Sequence, residues 1–317
     1  MPLGRADSAF LPGFHWIAYP NTAQVDSTYA MPDQTRRPTH FFTVDVEEYF
    51  QVRALETAVD RSAWETLPRR LDRPMHILLD QLEAAGARGT FFTLGWVADR
   101  NPDIVRRIVK GGHELASHGY WHRRVADMTP AEFREDLRTS KVALENCGGV
   151  SVIGFRAPNF SIVEGCDWAF DILLEEGFQY DSSVFPIWRP GYGNPSAPRA
   201  PHRITRPAGT LAEFPLATTT VLGLRVPAAG GGYLRQFPFA LIHRAFAEAS
   251  ARGVPATFYV HPWELDAEQP RFDVPLLTRV RHYRGLAATE GRIARLLRDF
   301  PFGTIASSLN DVVPASA

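Results

Sequence analysis

Cysteine is scarce in this sequence, which limits how the fold can be held together. Cys147 and Cys166 are the only cysteines among 317 residues, too few for a disulfide framework. We expect both to be reduced thiols in core or loop positions. A chain of this length can instead bury a large apolar core, as one (β/α)-type domain or as two smaller domains.

Long apolar runs and blocks of like charge are also missing. No run of about 18 apolar residues occurs, which excludes a membrane-spanning helix from the sequence. The 34 basic and 35 acidic residues form no block that would indicate a nucleic-acid partner. The first 38 residues lack the basic start, apolar stretch and cleavage site of a secretory signal. We therefore expect a cytoplasmic protein and leave a periplasmic location open.

The order of apolar and turn-forming residues predicts one α/β domain preceded by an arm. Residues 1–38 mix proline, glycine and isolated aromatic residues without a sustained period, so we expect an extended or poorly ordered segment. Residues 39–312 alternate short apolar strands, such as 41–46, with amphipathic helices, as is typical of parallel α/β domains. Thr129 is predicted to start one helix with a capping box. Six prolines in residues 186–210 predict a long stiff loop.

Polar residues that could carry chemistry stand where the predicted strands end. In parallel α/β folds, reactive side chains collect at the carboxyl ends of the strands, because the loops there surround one crevice. The residues in such positions are Asp45, Glu47, His118, His122, Arg156 and His261. Their shared position predicts one site that is built from several segments.

The two histidines indicate a metal site. His118 and His122 are four residues apart, so on one face of a helical turn they could offer ring nitrogens to one ion. Taken alone, such pairs are more often hydrogen-bonded surface residues. Asp45 and Glu47, two apart on a strand, point the same way, and one of them would complete an open three-ligand site of the catalytic type. The other would be free to accept a proton, unless both acids are merely solvated or cap helices.

Arg156 and His261 have defined uses in such a site. A guanidinium paired with the base carboxylate would hold it in place and keep it ionised. His261 ends an apolar strand, where an imidazole placed across from the metal could protonate a leaving amine. The alternatives are a surface arginine and a buried structural histidine.

Six stretches carry a resemblance to a known family. They are residues 43–50 (TVDVEEYF), 90–93 (TFFT), 112–122 (GHELASHGYWH), 154–159 (GFRAPN), 180–183 (YDSS) and 261–264 (HPWE). In these stretches, and in their order, the chain resembles polysaccharide deacetylases of the NodB-homology type, carbohydrate esterase family 4. It is similar in particular to the subfamily encoded at exosortase loci with exopolysaccharide genes. The likeness covers about residues 40–310, with a subfamily extension at about 215–312.

The resemblance implies a distorted (β/α) barrel and a role for each matched position. Asp45 matches the catalytic base, Arg156 the arginine that orients the base, and His261 the general acid. Asp181 matches an aspartate of the motif that lines and supports the site. The implied metal ligands include His118 and His122, and the implied cofactor is a divalent ion, with zinc preferred.

The first motif departs from the pattern of most members, in which two aspartates are adjacent. Here Val46 follows Asp45, and the next acid is Glu47. We assign Glu47 as the third metal ligand because it shares the strand face of Asp45, whereas Glu48 points the other way.

The implied function is a metal-dependent hydrolase that removes N-acetyl groups from amino sugars of a polysaccharide or oligosaccharide, in exopolysaccharide biosynthesis. Aromatic residues near the motifs could stack on sugar rings, although aromatics in a large domain often belong to the core. These residues are Trp121, Trp188, Tyr192 and Trp263. Two alternatives are an amidohydrolase acting on a small cyclic amide and a non-catalytic sugar-binding scaffold. The sequence carries no indication of the oligomeric state.

Overall fold

The computed structural model describes residues 38–189 and 191–313. The predicted amino-terminal arm, apart from Pro38, lies outside the described residues. In the two described ranges, no helix has both the length and the apolar character that crossing a membrane requires.

Most strands of the fold belong to one nine-stranded sheet with the order β10-β1-β2-β3-β4-β5-β7-β6, in which β11 pairs additionally with β1. The strands are β1 His40–Val46, β2 Thr90–Thr93, β3 Glu114–Ser117, β4 Gly154–Phe155, β5 Tyr180–Asp181, β6 His202–Arg206, β7 Gly209–Glu213, β8 Thr218–Val221, β9 Leu224–Pro227, β10 Thr257–Val260 and β11 Phe302–Gly303. All pairings in the large sheet are parallel except that of β6 with β7. The strands β8 and β9 form a separate antiparallel pair.

The large sheet curls until its two ends approach each other. Leu216, just after β7, forms a parallel bridge with Thr257 of β10. The backbone N–H of Ala217 donates to the carbonyl of Thr257 over 3.0 Å. The sheet therefore forms part of a barrel, and the predicted α/β fold of distorted-barrel type is confirmed.

Helices connect the strands. They are α1 Asp72–Ala84, α2 Gly95–Arg100, α3 Pro102–Lys110, α4 Pro130–Gly148, α5 Trp168–Glu175, α6 Gly231–Gln236, α7 Phe239–Ala251, α8 Leu276–Tyr283, α9 Thr289–Asp299 and α10 Leu309–Val312. The predicted capping box is present at the start of α4. The Thr129 hydroxyl accepts from the backbone N–H of Glu132 at 3.3 Å, and the Glu132 carboxylate accepts from the backbone N–H of Thr129 at 2.8 Å.

The strand β1 is buried on both faces, as its apolar sequence predicts. Phe42 and Val44 belong to a core cluster that also contains apolar residues of α1 and α7. Phe41, on the other face, packs in a second cluster with residues of β2, β3 and β5. Because side chains alternate along a strand, Asp45 lies on the same face as Phe41, which is the inner face of the curled sheet.

The expectation of a long loop was wrong in part. The predicted loop 186–210 ends early, because β6 starts at His202 and pairs with β7 through a two-residue turn at Pro207. Prolines flank this strand rather than interrupt it, so they do not remove its ladder hydrogen bonds. Further along the chain, Gly231 and Gly232 begin α6. A Cβ on Gly231 would lie 1.9 Å from the Glu264 carboxylate, so a side chain there would displace that group.

The capping box gives a stability prediction. Thr129→Ala removes the acceptor for a backbone N–H at the first turn of α4, and we expect the free energy of unfolding to fall by about 1 kcal/mol. The melting temperature should then drop by about 2–4 °C in thermal unfolding followed by circular dichroism. Thr139→Ala, at an exposed position within the same helix, is the matched control and should leave it nearly unchanged. Equal melting temperatures for the two variants would contradict the cap.

Candidate functional site

The carboxyl ends of the parallel strands surround one cavity of about 350 Å³. Asp45 lies near the end of β1, His118 follows β3, and His261 follows β10; all three line this cavity. Arg156, which follows β4, is buried beside it. A larger surface groove of about 660 Å³ between α3 and α4 contains none of the predicted site residues.

Glu47, His118 and His122 form a buried cluster at the floor of this cavity. Their potential ligand atoms all lie within 4.8 Å of one another. Nδ1 of His118 lies 2.8 Å from the backbone carbonyl of Arg156. A carbonyl can only accept, so Nδ1 carries the proton and Nε2 is left with a lone pair for a metal.

The histidine pair lies on a loop, which corrects the interpretation that a helical turn holds it. The strand β3 ends at Ser117, and both histidines follow it. The loop turns through Gly119 with φ 74° and through His122 with φ 52°. The left-handed conformation of His122 is costly for a residue with a side chain. Asp136 of α4 holds the loop in place, since its carboxylate accepts the backbone N–H of Tyr120 at 2.8 Å.

The protonation states of the cluster fit a bound cation. Burial would raise the pKa of Glu47, but the neighbouring His122, with His261 and His118, outweighs it and lowers the pKa to about 2. Burial is also the main cause that lowers the pKa of His118 well below its usual value. A carboxylate that stays ionised and an imidazole that stays neutral are the forms that bind metals.

Two atoms of the cluster have no hydrogen-bond partner among the described residues. Oε2 of Glu47 lies only 2.7 Å from Nε2 of His122, but no hydrogen bond is aligned between them. Nδ1 of His122 is also buried without a partner. Buried polar atoms of this kind destabilise a fold unless something binds them. Two imidazoles and one carboxylate match the protein ligands of catalytic zinc sites, so the cluster fits a divalent ion.

Glu48 lies away from this cluster. Both of its carboxylate oxygens accept the backbone N–H of Arg70, at 3.0 and 3.1 Å. Burial raises the pKa of Glu48 to about 7. The structure therefore brings Glu47, and not its neighbour, beside the two histidines.

Asp45 and Arg156 form a buried ion pair next to the cluster. Nη1 of Arg156 lies 2.7 Å from Oδ1 of Asp45 and 2.7 Å from Oγ1 of Thr43. Its Nε and Nη2 donate to the carbonyl and hydroxyl of Ser182, at 3.0 and 2.7 Å. The guanidinium also lies 4.1 Å from the centre of the Phe92 ring. These contacts fix the guanidinium, so Asp45 is held with its second oxygen towards the cavity.

His261 faces Asp45 across the cavity. Its Nε2 lies 4.0 Å from Oδ2 of Asp45 and 3.7 Å from Oε1 of Glu47, and its Nδ1 lies 3.1 Å from Oε2 of Glu264. Burial would lower the pKa of His261, but the hydrogen bond to Glu264 and the nearby carboxylates outweigh burial and raise the pKa to about 9. The imidazole is therefore protonated near neutral pH.

A second buried ion pair holds Glu264. Nε of Arg235 lies 2.9 Å from Oε1 of Glu264. Nη1 of Arg235 donates to the carbonyls of His282 and Arg284 at 2.9 and 2.7 Å. Burial would raise the pKa of Glu264, but Arg235 and His261 lower it to about 2. Glu264 belongs to the HPWE stretch, but its sequence context indicates no role for it. Arg235 follows a glycine-rich segment that carries no sequence signal of a site.

The predicted aromatic residues divide into two groups. Tyr192 and Trp263 line the cavity, whereas Trp121 and Trp188 do not. Trp188 is 72% exposed. Trp263 is buried, and the imidazoles of His261 and His282 both stack on it, with centroid distances of 5.1 and 4.5 Å. Its ring faces are thus covered by protein, while its Nε1 donates to the carboxylate of Glu47 at 3.1 Å.

Asp181 supports the site without lining the cavity. Its carboxylate accepts the hydroxyl of Ser183 at 2.6 Å, and that hydroxyl oxygen accepts the backbone N–H of Ala157 at 2.8 Å. Asp181 therefore holds the segment that follows Arg156, and it directly precedes Ser182, which binds the Arg156 guanidinium.

The curled parallel sheet and the buried His/Glu cluster at its carboxyl edge define an α/β protein with a candidate metal-dependent hydrolytic site. Residues 74–166 match the family model of the polysaccharide deacetylases, and residues 182–310 match a domain of unknown function, DUF3473. Part of the chain is therefore similar to the polysaccharide deacetylases, and the DUF3473 region follows that match.

Curated relatives share part of the sequence. The chain is 32% identical over 93 residues to a peptidoglycan-N-acetylglucosamine deacetylase of Bacillus cereus, over 29% of this chain and 34% of that protein. It is 37% identical over 86 residues to a bifunctional xylanase/deacetylase of Pseudobutyrivibrio xylanivorans, over 27% of this chain and 14% of that protein. The chain thus spans about a third or less of the length of these two relatives.

Solved structures share the fold. A protein from Mycobacterium smegmatis described as a polysaccharide deacetylase superposes with a TM-score of 0.60 at 20% identity, over 90% of this chain and 95% of that chain. An allantoinase superposes with a TM-score of 0.56 at 18% identity, over 90% of this chain and 94% of that chain. Because both identities are low, these likenesses establish the architecture alone.

The different surroundings of Glu47 and Glu48 give a test of the metal cluster. Glu47→Gln replaces the anionic member of the three proposed metal ligands with a neutral amide, and we expect the affinity for zinc to fall by at least about 100-fold. Glu48→Gln is the matched control, because the adjacent carboxyl has a raised pKa and a neutral amide resembles its protonated form. Isothermal titration of both variants with Zn²⁺ measures the difference. If only Glu48→Gln weakened zinc binding, Glu48 and not Glu47 would be the third ligand.

Proposed function

We propose that this chain is a metal-dependent hydrolase that removes N-acetyl groups from the amino sugars of a polysaccharide. The observation that carries the proposal is one cavity in which a His/Glu cluster, a carboxylate and a protonated imidazole face one another. In this cavity, Nε2 of His261 lies 4.0 Å from Oδ2 of Asp45. The relatives' names, which describe deacetylases of peptidoglycan and of other polymers, support the same activity.

Glu47, His118 and His122 are the residues that would hold the ion, for which we propose Zn²⁺. When bound, a divalent ion supplies Lewis acidity, since it polarises an acyl oxygen and lowers the pKa of water. The remaining steps need groups that move protons, and the chain places one on each side of the cluster.

Asp45 is the proposed general base. Arg156 binds one of its oxygens, so the other is directed to the cavity and can take a proton from the water that attacks the acetyl carbon. The ion pair keeps the carboxylate in one orientation during this transfer. Arg156 itself is buried and touches no part of the cavity surface that a substrate could reach.

His261 is the proposed general acid. As the acetyl carbon–nitrogen bond breaks, Nε2 gives its proton to the departing sugar amine, and the products are acetate and a free amino group. Glu264 holds Nδ1 on the opposite side of the ring, which fixes the direction in which Nε2 points. Arg235 in turn holds Glu264, so both are positioning residues for this proton transfer.

The proposed biological setting is the synthesis of an exopolysaccharide, which rests on the resemblance of the sequence motifs. The two other functions remain separable by experiment. Acetate release from an N-acetylated oligosaccharide would exclude a sugar-binding scaffold, and ring opening of a ureide would favour the cyclic-amide hydrolase.

Loss of the ion should abolish activity. We expect chelation of the protein to stop acetate release from chitotetraose and Zn²⁺ to restore it. His118→Ala should lose both bound zinc and activity, whereas Asp45→Asn should keep zinc but turn over at least about 100-fold more slowly. His76→Ala, an exposed histidine of α1, is the control and should behave like the wild type. Full activity of His118→Ala would refute the metal mechanism.

The hydrogen bond to Glu264 gives a pH prediction. Glu264 raises the pKa of His261, so the acid form persists up to about pH 9 and is lost above it. Glu264→Gln should lower that pKa and move the alkaline fall of kcat to lower pH, by about one unit or more. The profile is measured from pH 5 to 10, with zinc content and melting temperature as checks of folding. The control is Glu268→Gln, at an exposed position four residues further on, which should leave the pH profile unchanged. If Glu264→Gln also leaves the profile unchanged, Glu264 does not position His261.

A further inference from the structure

The charges at the mouth of the cavity differ from those at its floor. At the floor, each carboxylate that lines the cavity has a basic neighbour: Asp45 pairs with Arg156, and Glu47 lies beside His122. The mouth carries no acidic side chain among the described lining residues, but it carries two guanidinium groups.

These two groups are Arg53 and Arg281. Both are exposed, and both line the cavity that contains the metal cluster. Arg53 begins the turn of 3-10 helix that follows β1, and Arg281 lies in the last turn of α8, so different parts of the chain supply them. Within the described ranges, neither side chain forms an ion pair or a hydrogen bond, whereas the third arginine of the lining, Arg235, is bound to Glu264.

The excess of positive charge is local. The whole chain has a formal net charge of -1, so a basic mouth does not follow from its composition. A third donor is available beside the two arginines, because Nδ2 of Asn159 has no hydrogen-bond partner among the described residues and Asn159 lines the same cavity. A neutral polymer would offer these guanidinium groups hydrogen-bond acceptors but no opposite charge.

We propose that the polymer is acidic, with an anionic sugar next to the N-acetylated one, and that Arg53 and Arg281 bind this anion. The inference rests on the proposed deacetylation and adds the class of substrate. The forked N–H groups of arginine match a carboxylate in two parallel hydrogen bonds, so a uronic acid is the expected anionic residue. A positive mouth also attracts an anionic chain, and salt weakens that attraction.

The experiment compares substrates that differ in the group at C6 and therefore in charge. One is chitotetraose, and the other is chitotetraose partly oxidised at C6, so that acetamido sugars stand beside carboxylates. Acetate release is measured at low and at high salt with the zinc-loaded protein. We expect kcat/KM to be at least about tenfold higher for the oxidised substrate at low salt, and the preference to fall as salt is added.

The double variant Arg53→Gln/Arg281→Gln should bring the ratio of the two kcat/KM values close to one. The control is Arg106→Gln/Arg298→Gln, which removes the same charge from exposed arginines outside the cavity and should keep the ratio. A 6-O-sulfated chitotetraose separates the effect of charge from that of shape. Equal kcat/KM values for the sulfated and the oxidised substrate would indicate that the arginines recognise charge alone. A higher value for the oxidised substrate would indicate paired hydrogen bonds from arginine to the carboxylate. Equal rates on neutral and oxidised substrates in the wild type would overturn the inference.

Failure of the proposed deacetylation has a different signature. In that case the wild type releases acetate from none of these substrates, and titration calorimetry with the same oligosaccharides still tests the anion contact. Tighter binding of the oxidised tetramer, lost in the cavity double variant, would support the contact. Equal binding of both tetramers would refute it.

Discussion

The ion pair between Arg156 and Asp45 is the interaction on which the candidate site depends. Both side chains are buried, and removing a charge from water costs several kcal/mol unless its partners are well placed. Arg156 meets this requirement with four hydrogen bonds, to Asp45, Thr43 and Ser182. Its backbone carbonyl also accepts from His118. One residue therefore links the proposed base to a proposed metal ligand, and it does so from the end of a strand.

The same principle is repeated on the other side of the cavity. Arg235 and Glu264 form a buried ion pair, and Glu264 contacts His261. The Arg235 guanidinium is fixed by backbone carbonyls at the carboxyl end of α8. Both members lie in the DUF3473 region, as does His261, whereas His118 and Arg156 lie in the deacetylase match. Neither region contains the whole cavity lining. The two regions thus each supply part of one site, and Asp45 and Glu47, which precede both matches, supply a further part.

Backbone strain is concentrated at this cavity. Of the non-glycine residues described with positive φ, three line it: His122, Asn159 and Phe160. Such conformations persist only where the surroundings hold them, and here Asp136 and the buried pairs do so. Loops held in this way on a rigid sheet can keep the polar groups of the site in place before a substrate binds. Groups that are already in place need little rearrangement during the reaction.

The sequence by itself determined the strand–helix alternation, the capping box at Thr129 and the gathering of Asp45, His118, Arg156 and His261 at strand ends. These features depend on local periodicity and on the rule that parallel strands present their carboxyl ends to one edge, so they can be inferred without coordinates. The choice of Glu47 over Glu48 also followed from alternation along a strand.

Only the tertiary structure decided the contacts between distant segments. It placed the histidine pair on a loop, covered the ring of Trp263 with two imidazoles, left Trp121 and Trp188 outside the cavity, and joined Arg235 to Glu264. No pattern predicts these contacts, because each depends on how the curled sheet brings together residues far apart in the chain. The fold also set the charge state of His261. Burial alone would lower its pKa, but the hydrogen bond to Glu264 raises it, and Glu47 and Asp45, which the fold brings near the ring, raise it further.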